Sequence, residues 1–497
     1  MGREKNMEDY TYQNLKDALK TAEKNKDEWN QPKYLSLLGE YNLNTGEIKE
    51  SIKNLDEAYS KYKKLGYIRG TIENLMKLGE AYKRAEDYKR SMKYLEQADV
   101  YLKKVGDVHG EAECMMKMAI DNIFMEEYDH ALEFATNSQD IYATLSNQIG
   151  QANVYYYMAL AYQMKENYDE AELWLQNCLD IANQNNEFML QSMANNSLGI
   201  IHFRQGHYNE AFQFFGKALE VDSQEDNAIF KAIDLNNMAA TYQVQGEYLT
   251  AYNAFNEALS FVIEEQNDEI YEKIKLNIKE SSRKKWGDKR IEKLQIIEHP
   301  RVTSNYLVKR IRDLIDDGYA LYEEGNMQGA LRNYSEAVEG IAPLGDCPDK
   351  VELLMNVGKV YKEQAVYKKS MQWLNQARKL KTNTYHKADI YGELAEIYDI
   401  LKDKKSAVSG YTQQMKIAEA FGNLPQKAKA MINIAVVNKK LKQYDRSIEL
   451  LELSLDIYDQ IGHSAEKKQV YEHLAEIYAN MGQHKKSLKY KMEARDL

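Results

Sequence analysis

The stretch SLGIIHFRQGHYNEAFQFFGKA, residues 197–218, decides the fold of this chain. It recurs in altered form as KLGEAYKRAEDYKRSMKYLEQA at residues 77–98 and as NVGKVYKEQAVYKKSMQWLNQA at residues 356–377. The copies share a Gly, then a Tyr, a second small residue, an apolar or aromatic residue four positions later and an Ala three after that. Apolar residues at this spacing predict two amphipathic helices in each copy.

The first small residue of each copy recurs along the sequence, at most steps 40 residues apart. Its positions are Gly39, Gly79, Ala119, Ala159, Gly199, Ala239, Gly318, Gly358, Ala395, Ala435 and Ala475. A second small residue follows 12 positions later in every copy, at Ser51, Ser91, Ala131, Ala171, Ala211, Ala251, Ala330, Ser370, Ala407, Ser447 and Ser487. A small side chain at both positions predicts that the two helices of a copy cross closely.

The composition agrees with an all-α fold, because only 5 Pro and 25 Gly occur in 497 residues and helix-forming residues dominate. The repeated skeleton resembles the tetratricopeptide repeat, and the 40-residue unit is similar to those of Leu-Gly-Asn adaptors, kinesin light chains and Rap-type peptide receptors. The resemblance implies a right-handed α-solenoid of antiparallel helix pairs. We identify about eleven recognisable repeats and one degenerate repeat in the sequence.

The repeat register divides the chain into four parts. Residues 1–34 are expected to hold an N-terminal capping helix, and residues 35–270 an array of six repeats. Residues 271–303 are expected to form a degenerate repeat or hinge, followed by five further repeats in residues 304–497. Within the degenerate repeat, we expect one helix over about 270–284, a turn at Trp286 to Asp288, and a second helix over about 289–298 that Pro300 ends.

The degenerate repeat contains the basic stretch SSRKKWGDKR at residues 281–290. Bulky residues at its two small-residue positions, near Lys279 and at Ile291, predict looser packing than in the neighbouring repeats. We therefore expect an exposed, positively charged joint, formed by Arg283, Lys284, Lys285, Lys289 and Arg290.

No sequence motif of a catalytic, phosphate-binding or metal-binding site occurs with adequate context, so we expect no enzymatic activity and no cofactor. The three cysteines are widely spaced, which predicts free thiols and a reducing compartment. The sequence has no apolar run long enough for a membrane span and its N-terminus has no apolar signal region. These features predict a cytoplasmic protein without a membrane partner.

Partner-binding residues are expected on the first helices of the repeats, which line the concave face of a solenoid. An Asn side chain can donate to and accept from one peptide unit of an extended partner, and in the resembled adaptor families Asn near this position contacts peptide backbone. The same residues also fit the alternative of an exposed Asn in an Asn-rich sequence. The candidates are Asn196, Asn236, Asn237, Asn356 and Asn433, with Tyr156, Gln163, Phe203 and Gln243 on the same surface.

Charge is uneven along the chain. Residues 118–271 contain 4 Lys or Arg against 24 Asp or Glu, whereas residues 272–497 contain 40 against 32. The acidic region predicts either solvated convex faces or a cradle for a basic segment. The basic region around residues 272–313 suits an acidic protein surface, and the low pI of about 5.5 argues against nucleic acid.

These features predict a non-enzymatic scaffold that binds a protein or peptide segment in its groove or docks into a larger assembly. The resemblance to repeat adaptors implies cytoskeletal, ciliary or motor-associated complexes. The alternative is a peptide-responsive regulatory receptor of the Rap-like type, which would need an element with two states.

Overall fold

A computed structural model describes residues 12–225, 227–263, 268–285, 294–299, 306–382, 385–462 and 464–496. These residues form α-helices, short turns and one 3-10 helix at Ala342–Leu344, and no strand occurs among them. The helices are α1 (Tyr12–Lys24), α2 (Asn30–Asn44), α3 (Ile48–Leu65), α4 (Ile68–Arg84), α5 (Tyr88–Val105), α6 (Val108–Phe124), α7 (Tyr128–Thr144), α8 (Gln148–Met164), α9 (Tyr168–Gln184), α10 (Phe188–Arg204), α11 (Tyr208–Gln224), α12 (Ala228–Val244), α13 (Tyr248–Ile263), α14 (Asp268–Lys285), α15 (Tyr306–Glu323), α16 (Met327–Gly340), α17 (Pro348–Glu363), α18 (Tyr367–Lys379), α19 (His386–Ile400), α20 (Lys404–Ala420), α21 (Leu424–Lys440), α22 (Tyr444–Ile461), α23 (Ser464–Asn480) and α24 (His484–Asp496).

The helix bounds follow the period of the sequence. Helices α4, α6, α8, α10, α12 and α14 begin at residues 68, 108, 148, 188, 228 and 268, so each starts 40 residues after the one before. The intervening helices α5, α7, α9, α11 and α13 begin at residues 88, 128, 168, 208 and 248. The all-α solenoid class is thereby confirmed.

The small residues lie where the two helices of a repeat cross. A Cβ atom added to Gly199 would lie 2.5 Å from the ring of Phe215, which fills the space beside the glycine. Where the second small residue is Ser, its hydroxyl donates to the carbonyl of the first, as Ser91 does to Gly79 at 2.8 Å. The crossing is therefore fixed by size and by a buried hydrogen bond.

Left-handed residues end many of the helices. Gly106 and Gly462 adopt φ values of 68° and 76° after α5 and α22, as expected for helix C-caps. In the corresponding segment at residues 145–150, Ser146 takes the left-handed conformation with φ of 55°, and Gly150 lies within α8.

The chain forms two compact units. Unit 1 comprises residues 1–121, 317–338 and 346–497, and unit 2 comprises residues 122–316 and 339–345. This division by contacts does not follow the repeat-based boundaries. The grouping of the repeats into arms of six and five remains a prediction.

Within unit 1, helices from the two ends of the sequence pack together. The backbone N–H of Ile68, at the start of α4, donates to the carbonyl of Phe421 at 3.0 Å. The Arg69 guanidinium stacks 3.2 Å from the centre of the Tyr385 ring. Trp29 packs in one hydrophobic cluster with Ala428 and other residues of α21 to α23. A repeat pattern indicates packing between successive helix pairs and does not reveal these contacts.

The degenerate repeat differs from the expectation. Its first predicted helix corresponds to α14, but the predicted second helix over about 289–298 is wrong where it is described, because residues 294–299 are not helical. The predicted turn at Trp286 to Asp288 lies outside the described residues. None of the described helices is long and apolar enough to cross a membrane.

Candidate peptide-binding face

Residues 294–299, Leu-Gln-Ile-Ile-Glu-His, lie in unit 2 against side chains of α8, α10, α12 and α14. We call them the docked segment, and we call the surface beneath them the Asn face, formed by Gln163, Ser192, Asn196, Phe203, Asp234, Asn236, Asn237 and Asn277. The segment bonds to this face at alternate residues, which is the spacing of an extended chain. Ile297 and His299 are buried.

Two asparagines bind the backbone of the docked segment. Asn237 Nδ2 donates to the carbonyl of Ile297 at 2.7 Å, and its Oδ1 accepts from the Ile297 N–H at 3.0 Å. Asn277 Nδ2 donates to the carbonyl of Gln295 at 2.7 Å, and its Oδ1 accepts from the Gln295 N–H at 2.8 Å. Each carboxamide thus satisfies both polar groups of one residue, whatever its side chain.

Asn236 connects the two asparagines. Its Nδ2 donates to Asn237 Oδ1 at 3.1 Å and to the carbonyl of Gln295 at 3.1 Å. Its own Oδ1 accepts from Asn277 Nδ2 at 2.8 Å. The three buried carboxamides form a connected network, which holds each in one orientation.

Two isoleucines of the docked segment pack against apolar side chains of the helices. Ile296, which is half-buried, packs against a cluster of Ile200, Ala211 and Phe215. Ile297 packs in a separate cluster with Ile233 and Ile274. Successive residues therefore contact different parts of the face, as successive side chains of an extended chain do.

His299 enters a buried polar pocket. Its Nε2 lies 2.7 Å from Asp234 Oδ1, and its Nδ1 lies 3.1 Å from Ser192 Oγ. Ser192 donates to Asp222 Oδ2 at 2.6 Å, and Asn196 donates to Asp234 Oδ1 at 3.0 Å. The Phe230 ring lies 4.2 Å from the imidazole, centre to centre.

Burial shifts the pKa values of this pocket toward the uncharged forms. It raises the pKa of Asp234 well above its ordinary value, and it raises the pKa of Asp222 to about 8. It also lowers the pKa of His299 to about 4. A protonated Asp234 can donate to Nε2 while the Nδ1–H donates to Ser192, so one consistent set of hydrogen bonds uses every contact.

The same three ionisable groups have the atom types of a metal site, since one ligand atom from each of Asp222, Asp234 and His299 lies within 4.8 Å of the others. Both imidazole nitrogens already have hydrogen-bond partners, however. The geometry is that of a hydrogen-bonded cluster, and we assign no metal to it.

The structure places most of the sequence-predicted residues of unit 2 on or beside the Asn face. Asn236 and Asn237 contact the segment backbone, and Gln163 donates to the Glu298 carboxylate at 3.0 Å. Phe203 and Ile296 pack against the same apolar cluster, whereas Asn196 donates a hydrogen bond to Asp234. Gln243 is bonded to Ser281 of α14, and the buried Tyr156 ring packs edge-on against Tyr157.

The remaining candidates lie elsewhere. Asn356 and Asn433 belong to unit 1, on α17 and α21, whereas the Asn face belongs to unit 2. Of the basic joint, Arg283, Lys284 and Lys285 end α14. Lys289 and Arg290 lie outside the described residues.

Sequence reasoning missed Asn277, Asp234, Ser192 and His299. Asn277 could have been found, because it stands two residues before the first small-residue position of the degenerate repeat, as Asn237 does in its own repeat. No periodic signal marks the other three. These three side chains come together because the docked segment packs against α10 and α12, which precede it in the sequence.

Family models described as tetratricopeptide repeat match residues 190–264 and 426–497, and a second such model matches residues 72–99. No curated protein matches the sequence significantly. Two of the similar solved structures are the apo form of RapI (17% identity, 62% of this chain and 97% of that chain, TM-score 0.42) and aspartyl phosphate phosphatase F from Bacillus subtilis (13%, 73% and 74%, 0.43). Another is BtubC from P. vanneervenii (14%, 44% and 92%, 0.40). At these identities the likeness concerns the fold alone.

Proposed function

We propose that this chain, a tetratricopeptide-repeat protein, is a non-enzymatic scaffold whose Asn face binds an extended segment of a partner protein. The observation that carries the proposal is the pair of carboxamides, Asn237 and Asn277, each bonded to both the N–H and the carbonyl of one residue. Backbone recognition of this kind supplies affinity for any extended chain, while side-chain contacts select among sequences.

The docked segment is the internal counterpart of that partner. It uses the backbone groups and side-chain sites that an incoming segment would use, so the two cannot bind together. A tethered segment acts at an effective concentration of the order of millimolar. A partner therefore needs contacts beyond these six residues, or a high local concentration of its own, to displace it.

The charge of unit 2 favours basic residues in the parts of the partner that flank the bound segment. Acidic side chains of residues 118–271 that lie away from the Asn face are mostly exposed, among them Asp129, Glu133 and Asp140. A basic stretch flanking the bound segment would be attracted to them. For the basic residues around 272–313, an acidic protein surface remains the proposed partner, and cytoplasmic assemblies of cytoskeletal, ciliary or motor type remain the proposed setting.

A second candidate function is a peptide-responsive regulator. The observation favouring it is that the docked segment occupies the Asn face, so that a displacing ligand would convert one state of the chain into another. A regulator should then change a second property, such as its radius of gyration, when ligand binds. A scaffold should bind with its dimensions unchanged.

A labelled peptide with the sequence of residues 293–300, Lys-Leu-Gln-Ile-Ile-Glu-His-Pro, tests the proposed function. The receptor is the full-length chain carrying Ile297→Gly and His299→Gly, here called the opened variant, in which the docked segment has lost its two buried side chains. We expect saturable binding that Asn237→Ala weakens at least about tenfold, because buried backbone groups would be left unpaired.

Asn253→Ala is the matched control, since this Asn is exposed on α13. It should leave the affinity unchanged. Binding that is absent, or that is equally strong in the Asn237→Ala and Asn253→Ala backgrounds, would refute the proposal.

A further inference from the structure

The pocket around His299 is built for one kind of side chain. It supplies a carboxyl group on one side of the imidazole, a hydroxyl on the other and an aromatic ring within 4.2 Å. Asp234, Ser192 and Asp222 are all buried, and they lie on three different helices of unit 2, α12, α10 and α11. Ser192 donates to Asp222 and Asn196 donates to Asp234, so these bonds fix the pocket independently of the carboxamides that bind the backbone.

We infer that this pocket is a specificity site for imidazole, so that the partner segment carries two adjacent aliphatic residues followed, after one intervening residue, by a histidine. This inference rests on the proposed function, because it names the side chains that the partner presents on the Asn face. The spacing comes from the docked segment, in which Ile296 and Ile297 fill apolar sites and His299 fills the pocket.

Imidazole fits the pocket better than the other basic side chains. It has two nitrogens, and each meets one polar group of the pocket. A Lys or Arg side chain would carry a permanent charge into a site where burial favours uncharged carboxyl groups, and desolvating that charge is costly even beside a carboxylate. An Ala or Leu side chain would leave Asp234 and Ser192 with fewer partners.

The asparagines and the pocket therefore recognise different parts of the bound segment. Asn237 and Asn277 bind backbone atoms that every extended segment has. The pocket discriminates, because a site that hydrogen-bonds a ligand group rejects an analogue lacking that group. A segment without the His should still bind the asparagines, but more weakly.

The experiment compares three peptides on the opened variant: the sequence of residues 293–300, the same peptide with Ala in place of its His, and the same peptide with Lys there. We expect the Ala and Lys peptides to bind at least about tenfold more weakly than the His peptide. Asp234→Asn in the receptor should shrink the difference between the His and Ala peptides. Ser192→Ala, a milder change in the same pocket, should do so as well if the Asp234→Asn protein fails to fold.

The outcomes separate the inference from the proposed function. Equal affinity of the His and Ala peptides, with binding still dependent on Asn237, would overturn the imidazole site and leave the peptide-binding face standing. A Lys peptide that binds as well as the His peptide would also overturn it, because the pocket would then recognise positive charge rather than imidazole. No binding of any peptide would overturn both.

Discussion

Asn237 and Asn277 stand 40 residues apart, at the same position of successive repeats, and each binds the N–H and carbonyl of one residue of the docked segment. The bound residues, Ile297 and Gln295, are two positions apart in the segment. Moving along the solenoid by one repeat therefore moves the contact along the segment by two residues. The degenerate repeat thus retains its binding residue while its predicted second helix is replaced, in residues 294–299, by the segment that is bound.

Gly199→Ala should destabilise unit 2 by about 1–3 kcal/mol, because the new Cβ would overlap the Phe215 ring. Gly216→Ala is the matched control on the neighbouring helix, since a Cβ there meets nothing within 4 Å. That change should stabilise the protein by about 0.5–1 kcal/mol through helix propensity. Chemical denaturation of both variants measures the two effects, and equal stabilities would refute the packing account.

Trp29→Ala should destabilise unit 1 by about 3–5 kcal/mol, as expected for removing a large buried ring. The ring lies 4.8 Å from the Tyr67 ring and packs with residues of α21 to α23, far away in sequence. Tyr444→Ala offers a comparison within the same cluster, because Tyr444 is only partly buried there. Thermal unfolding should show the larger loss for Trp29→Ala, and a loss no larger than that of Tyr444→Ala would contradict this contact.

The free energy of unfolding of unit 2 should fall as pH rises from 7.5 to 8.5. Burial raises the pKa of Asp222 from 3.8 to about 8, so its contribution to the folded state is full below pH 3.8 and is lost as pH rises through 8. Burial lowers the pKa of His299 from 6.5 to about 4, so the contribution of the imidazole is present above pH 6.5 and is lost only in acid. Asp222, together with Asp234, whose pKa burial also raises, therefore sets the sign of the pH dependence in this window.

Chemical denaturation at the two pH values measures this dependence. Asp222→Asn, which keeps the size of the side chain without its titration, should flatten it. A free energy of unfolding that rises with pH, or a dependence unchanged by Asp222→Asn, would contradict the assignment of uncharged carboxyl groups in the pocket.

The repeat architecture could be predicted from the sequence because its signal is local and recurs eleven times. The Gly199 and Phe215 pair illustrates this, since a small residue and a large one at fixed spacing define one helix crossing. The positions of Asn236 and Asn237 could be predicted from the same register. Their burial beneath the docked segment could not be predicted from it.

The docked segment was predicted to be helical because the repeat register required a helix there. Two physical features of residues 294–299 oppose a helix: the adjacent β-branched Ile296 and Ile297 favour an extended backbone, and Pro300 follows directly after His299. The contacts of Ile68 with Phe421 were likewise invisible, because contacts between distant repeats leave no periodic trace.

Amide hydrogen exchange at Ile297, followed by NMR in the full-length chain with 15N-labelled isoleucine, tests the central claim most directly. The account predicts an Ile297 N–H that exchanges slowly, that becomes fast in Asn237→Ala and that stays slow in Asn253→Ala, because Asn237 accepts its hydrogen bond. Fast exchange at Ile297 in the unmodified chain, or slow exchange that survives Asn237→Ala, would contradict the claim that this face holds an extended segment through its asparagines.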